Sequence, residues 1–214
     1  MPIIRKLKWL DQLQIGIWRL DEPESFFLDR MDLNVQETEH LTAIKGHRRL
    51  EWLGGRWLLH LMTGASARIH CVIDDFGKPQ LNDPDLHMSI SHSHGLVAVA
   101  LGPAVCGIDI QKQVSKINRI EHKFMRSEES EALSKVDRLA HLHVYWGAKE
   151  SLYKAYGRKK LDYKQHLYLE AFEYKPKTPI HAWIHKADYR ADFQATFDLY
   201  EEFILVAVAQ STAI

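Results

Sequence analysis

The pentapeptide LVAVA occurs twice, at 96–100 and at 205–209, a lag of 109 in a chain of 214 residues. A five-residue apolar string suits any buried strand, so the match is weak alone. What gives it weight is its surroundings. Ahead of the first copy, "GHRRLEWLGGRWLLHLMTG" sets Leu50, Leu53, Trp57 and Leu61 at helical spacing, with Gly64 as a stop. Then come "ARIHCVI", a turn at "DDFGKP", and strands at "LHMSIS" and "LVAVAL". Ahead of the second copy, "DRLAHLHVYWGAKESLYKAYG" reads as a helix capped by Asp137 and closed by Gly157. The strands "LYLEAF", "IHAWIH", "FQATFDLY" and "FILVAVA" follow it. The first twenty residues suggest one or two strands, including "IGIWRL", and the segment after Pro23 is mostly helix. The order predicts an α+β fold of two similar halves, each a long helix packed on a small, mostly antiparallel sheet. The halves are expected at 1–108 and 109–214, as one pseudo-symmetric unit with a ligand site at the seam.

Lys and Arg number 28 and Asp and Glu number 28, so the formal net charge is zero. That balance argues against a general nucleic-acid binder and leaves room for a local basic pocket. The two cysteines, Cys71 and Cys106, lie in apolar runs and read as core residues rather than a disulfide or zinc framework. The N-terminus lacks the uninterrupted apolar stretch of a signal peptide, and no segment is apolar enough to span a bilayer. A cytoplasmic protein without a membrane partner is expected.

Four clusters carry candidate chemistry. In "GIDIQ", Asp109 and Gln111 share a strand face between apolar neighbours, so a carboxylate is set to be buried at the expected junction. In the second helix, Trp146, Glu150 and Lys154 lie four apart on one face, with Lys149 on the neighbouring, mostly apolar face. A solvated Glu150–Lys154 pair is the bland reading of that spacing. In "HMSISHSHG", Ser89, Ser91 and Ser93 alternate with His92 and His94. This stretch suits a polar strand end, a phosphate site or a metal site. The last cluster is cationic: Lys78 at the "FGKP" turn, and Lys45, Arg48, Arg49 and Arg56 on the first helix, where Arg49 and Arg56 are two turns apart and could clamp a phosphate.

The order "FGKPQL", "SISHS", "GIDIQ", "WGAKESLYKAYG" resembles the 4'-phosphopantetheinyl transferase superfamily, in its two-half, pseudo-symmetric form. The resemblance runs from the arginine patch near residue 45 to residue 157, and more loosely through the closing strands. It implies transfer of the 4'-phosphopantetheine moiety of coenzyme A to a serine of an apo acyl or peptidyl carrier protein, with magnesium as cofactor and adenosine 3',5'-bisphosphate released. It implies Asp109 and Glu150 as metal ligands, with Gln111 as an additional candidate. It implies Glu150, Lys154 and His92 in catalysis, and Arg49, Arg56, Lys78, Ser91, His92 and Lys154 in binding coenzyme A. It further implies a monomer, because one chain supplies both sides of the site. Many two-half members read G-I-D-I-E, whereas this chain has Gln111.

Two other readings compete: a module that binds coenzyme A or a carrier protein without turnover, for which Gln111 is the hint, and a zinc hydrolase using His92, His94 and Asp109. The last lacks a paired-histidine helical motif.

Overall fold

A computed structural model describes residues 5–10 and 13–211. The elements in chain order are β1 (Arg5–Trp9), β2 (Leu13–Arg19), α1 (Glu24–Leu28), α2 (Val35–Ala43), α3 (Arg48–Thr63), β3 (Cys71–Ile73), β4 (Pro79–Leu81), β5 (His87–Ser93), β6 (Leu96–Gly102) and β7 (Cys106–Lys112). A 3₁₀ turn over Ser115–Arg119 leads to α4 (Glu121–Phe124), α5 (Ser127–Glu131), α6 (Arg138–Tyr156), β8 (Leu167–Leu169), β9 (Ile180–Lys186), β10 (Tyr189–Tyr200) and β11 (Phe203–Gln210). One antiparallel sheet has the order β1-β2-β6-β5, and a second has β7-β11-β10-β9-β8. The fold is α+β, with helices packed on antiparallel sheets.

The repeated pentapeptide explains how the layers stack. Side chains alternate across a strand, and in both copies the two faces do different work. Val97 and Val99 face the α3 side with Leu58, Leu59 and Met62, and Val206 and Val208 face the α6 side with Leu142, Ala148 and Leu152. The other faces, Leu96, Ala98 and Ala100 of β6 and Leu205, Ala207 and Ala209 of β11, meet in one core between the sheets. Small alanines on both inner faces let the sheets approach closely; the branched valines fill the wider gap to each helix. The layers therefore run α3, sheet, sheet, α6.

The helix stops fall where the sequence puts them: Gly64 follows α3 at φ 66° and Gly157 follows α6 at φ 69°. Asp137 occupies the N-cap position of α6, but its side chain makes no capping bond; its backbone carbonyl accepts the His141 N–H at 2.8 Å. Two expected strands are shorter than read. "ARIHCVI" is strand only at Cys71–Ile73, and "LYLEAF" only at Leu167–Leu169. Each pairs with a single neighbour, so little backbone is held beyond the paired residues. Strand β7 crosses the expected boundary at 108–109 and lies wholly in the second sheet, paired with β11.

One close approach positions the later chemistry. A Cβ on Gly107 would stand 1.8 Å from the Ser151 carbonyl oxygen, so α6 lies against β7 at a distance only glycine permits. Buried Lys149, on the other side of α6, ties that helix to the α4–α5 segment. Its Nζ donates to Glu129 Oε2 at 2.7 Å and to the Phe124 carbonyl at 2.6 Å, with both side chains almost fully buried. Such a pair is costly to break from one side, at about 3–5 kcal/mol.

Gly107→Ala is expected to lower stability by about 1–3 kcal/mol or more through overpacking, read as a fall in the urea midpoint. An unchanged midpoint would mean that α6 does not lie this close to β7.

Candidate active site

β7 and β5 are edge strands of different sheets. They are joined not by a backbone ladder but by two serine hydroxyls. Ser89 Oγ accepts the Ile108 N–H at 3.1 Å, and Ser91 Oγ accepts the Ile110 N–H at 3.2 Å. Lys154 Nζ, from the last turn of α6, takes the Ile108 carbonyl of the same edge at 2.8 Å. Edge groups that would otherwise template another strand are thus satisfied by side chains.

Asp109 lies at the centre of this seam, 8% exposed. Its Oδ1 accepts from Ser91 Oγ at 3.1 Å and from Lys154 Nζ at 3.0 Å, and its Oδ2 accepts from Gln111 Nε2 at 3.0 Å. Lys154 also donates to Ser91 Oγ at 2.9 Å, so with Ile108 and Asp109 its three ammonium protons are all in use. The Ser91 hydroxyl, one donor and two acceptor positions, is saturated too.

Glu150 stands one turn before Lys154, yet the solvated i,i+4 pair that the spacing permits is not what forms. Lys154 turns to Asp109, and Glu150 Oε1 accepts the Tyr163 hydroxyl at 2.9 Å. Burial and, next, the Asp109 carboxylate push the Glu150 pKa up, against the Tyr163 hydrogen bond and Lys154, which pull it down. The strand carboxylate of Asp109, 41 residues from Glu150 in sequence, is therefore near enough to oppose the ionisation of Glu150. A divalent cation relieves such a pair, and magnesium needs few protein carboxylates, so the donor set fits one. Among the described residues, no three His, Cys, Asp or Glu side chains form a ready-made cage.

Tyr163, which the sequence reading did not single out, is held by stacking. Its ring lies 5.3 Å from Trp146 at 12° and 5.5 Å from Tyr153 at 15°. Its own pKa is raised by burial and then by Glu150, so it stays a neutral donor. Trp146 and Tyr153 are on the face that carries Glu150; the missing signal was the loop aromatic that fills the gap between them.

The remaining expected residues are distributed around this core. His92 Nδ1 is 3.0 Å from Glu51 Oε2 of α3, and the imidazole is half exposed. β5 ends at Ser93, and His94 (φ 46°) and Gly95 (φ 80°) form a two-residue hairpin turn. The strand therefore does not continue far enough for His92 and His94 to share a face, because the chain reverses between them. Lys78 Nζ caps the end of α6 at the Ala155 carbonyl, 3.0 Å away, and burial lowers its pKa. With Phe76, Ser89, Tyr153, Lys154 and Lys159, it lines a cavity of about 230 Å³. Arg49 is taken up by Glu24 at 3.0–3.1 Å and by the Leu41 carbonyl at 2.6 Å. Arg56 is buried, its Nε without a hydrogen-bond partner and its guanidinium 5.2 Å over the Trp52 ring. Arg49 and Arg56, expected as a phosphate clamp, point to different partners in this structure. The Gln111 side-chain oxygen faces His143, its Oε1 2.7 Å from Nδ1. Lys45 and Arg48, the other two cations of the patch, are exposed.

The edge strand and the helix that meet at Asp109 and Glu150 also define what the chain is similar to. Residues 105–201 match the model of the 4'-phosphopantetheinyl transferase superfamily. The matched stretch begins just before β7 and takes in all of α6, so it contains Asp109, Glu150 and Lys154. A 4'-phosphopantetheinyl transferase of Bacillus subtilis is 30% identical over 145 residues, covering 64% of this chain and 61% of that protein. The chain thus spans about three fifths of the curated superfamily relative that it matches. The resemblance read from the sequence holds over this stretch. Among the described residues, no helix is long and apolar enough to cross a membrane.

Tyr163→Phe keeps the stacked ring and removes one donor to Glu150, so stability should fall by only about 0.5–1.5 kcal/mol. The Glu150 titration should move further up. A carboxyl raised in the fold favours the native state when protonated, and that contribution is lost as pH rises through its folded value. The variant should therefore lose it at higher pH, read by carboxyl ¹³C NMR. An unmoved Glu150 titration would mean that Tyr163 does not bond it.

Proposed function

We propose that this protein is a phosphopantetheinyl transferase: it transfers 4'-phosphopantetheine from coenzyme A to a serine of an apo acyl or peptidyl carrier protein, with magnesium, as a monomer whose two halves (1–108 and 109–214) together make the site. The observation that carries this reading is the Asp109–Lys154 pair facing Glu150, on the strand and helix inside the matched stretch, with Ser91 of β5 bridging the pair from outside it.

In the reaction, the serine oxygen of the carrier forms a bond to the phosphorus that bears the pantetheine arm. The bond from that phosphorus to the adenosine 3',5'-bisphosphate oxygen breaks, and the serine proton must leave. Catalysis of this kind is mainly positioning and charge neutralisation. A bound divalent cation would supply charge neutralisation at the pyrophosphate, held by Asp109 and Glu150. The serine proton leaves to a water held beside the cation, or to Glu150 in a shared role, and Tyr163 keeps Glu150 oriented. Lys154 holds Asp109 and places a cation beside the diphosphate. The half-exposed His92, steadied by Glu51, hydrogen-bonds a phosphate. Lys78, in its cavity, holds the nucleotide phosphate, with Arg56, whose Nε has no partner, as a further donor; Arg49 reaches that phosphate only by leaving Glu24.

Mass spectrometry of an apo carrier protein incubated with the chain, coenzyme A and magnesium is expected to show a gain of one phosphopantetheine on serine. Asp109→Asn and Glu150→Gln should each reduce that gain at least 100-fold while leaving the circular dichroism spectrum unchanged. Binding of both substrates without any gain would support the non-transferring module instead. Magnesium should raise the melting temperature of the parent protein and not that of Glu150→Gln; an equal rise in both would place the cation elsewhere.

A further inference from the structure

The side chain at 111 is where this chain departs from the acid of many two-half members, and the structure shows what the amide does. Gln111 Nε2 is 3.0 Å from Asp109 Oδ2 and 3.2 Å from the His143 carbonyl oxygen. Both neighbours are pure acceptors, so the atom facing them must be the amide nitrogen. The amide oxygen is then the atom 2.7 Å from His143 Nδ1, and that nitrogen must carry a proton. The far ring nitrogen, Nε2, lies 3.0 Å from the Val114 N–H and accepts it. The Val114 carbonyl is also 3.1 Å from Nε2 and would be served only by a doubly protonated ring; burial of this histidine opposes that form. The result is a directed chain: Val114 N–H to His143, His143 to Gln111, Gln111 to Asp109.

We propose that His143, through this chain, locks Gln111 as a positioning residue for Asp109 and withholds it from the cation, so that the protein supplies two ligands, Asp109 and Glu150, and no third. The inference rests on the reading that those two carboxylates hold a divalent cation. Both amide groups of Gln111 are engaged, the nitrogen with Asp109 and the His143 carbonyl and the oxygen with the His143 ring. For the oxygen to reach a cation beside Asp109, the amide would have to turn over, setting its NH₂ against the His143 Nδ1–H. His143 would then need to move its proton to Nε2, against the Val114 N–H. Coordination by a Gln111 amide turned over in place and the Nδ1–H tautomer thus exclude each other. Gly147 supports the arrangement, since a Cβ there would come within 2.7 Å of Gln111 Nε2.

The test is long-range ¹H–¹⁵N NMR of the ¹⁵N-labelled 214-residue chain, with and without magnesium. His143 is expected as the Nδ1–H tautomer in both. An Nε2–H tautomer in either state, or a switch on adding magnesium, would overturn the lock. A second arm follows Mn²⁺ binding by electron paramagnetic resonance. Gln111→Leu, which removes a donor to Asp109, should weaken Mn²⁺ binding about tenfold. Electron–nuclear double resonance of the parent with ¹³Cδ-labelled glutamine should show no coupling from Mn²⁺ to Gln111; such a coupling would identify Gln111 as a ligand and sink the inference. Asp109→Asn should weaken Mn²⁺ binding at least tenfold. If it does not, the cation assignment fails, whatever the tautomer.

Discussion

The packing of α6 against edge strand β7 is the constraint on which the rest depends. It requires a missing side chain at Gly107, because the Ser151 carbonyl occupies the space. That approach puts Lys154 within reach of a strand carbonyl and a strand carboxylate at once, and brings Glu150 within electrostatic reach of Asp109. A helix displaced outward by one side chain would leave Asp109 buried and unpaired, a far more costly state than the one observed.

The second sheet edge matters as much as the helix. Strand β5 offers hydroxyls where a continuous sheet would offer backbone amides, so the two sheets touch without merging. This keeps a cleft open at the seam, and it lets Ser91 serve both halves. It accepts from the Ile110 backbone and from Lys154, and it donates to Asp109. Residues that look like independent candidates in the sequence are thus one hydrogen-bonded unit, whose members cannot be changed without unpairing the others.

Different parts of the fold were legible to different degrees. The two halves and both helix ends could be read because their signals are local: apolar spacing, a repeated strand, and glycines that adopt left-handed backbone. The lengths of β3 and β8 could not, since an apolar run becomes strand only as far as a neighbour pairs with it. At the site, the acids of the strand and the helix stood out by their placement in apolar surroundings. Tyr163 did not, because nothing in its own loop indicates that it will slot between Trp146 and Tyr153.

Sequence alone determined the two-half α+β plan, the burial of Asp109, and the shared helix face of Trp146, Glu150 and Lys154, because these follow from periodicity within one element. Tertiary structure alone decided the partners. It gave Lys154 to Asp109 rather than Glu150, Arg49 to Glu24 rather than Arg56's side, and the Gln111 oxygen to His143. A long polar side chain reaches several neighbours, and which one it takes is set by what other elements bring within about 3 Å.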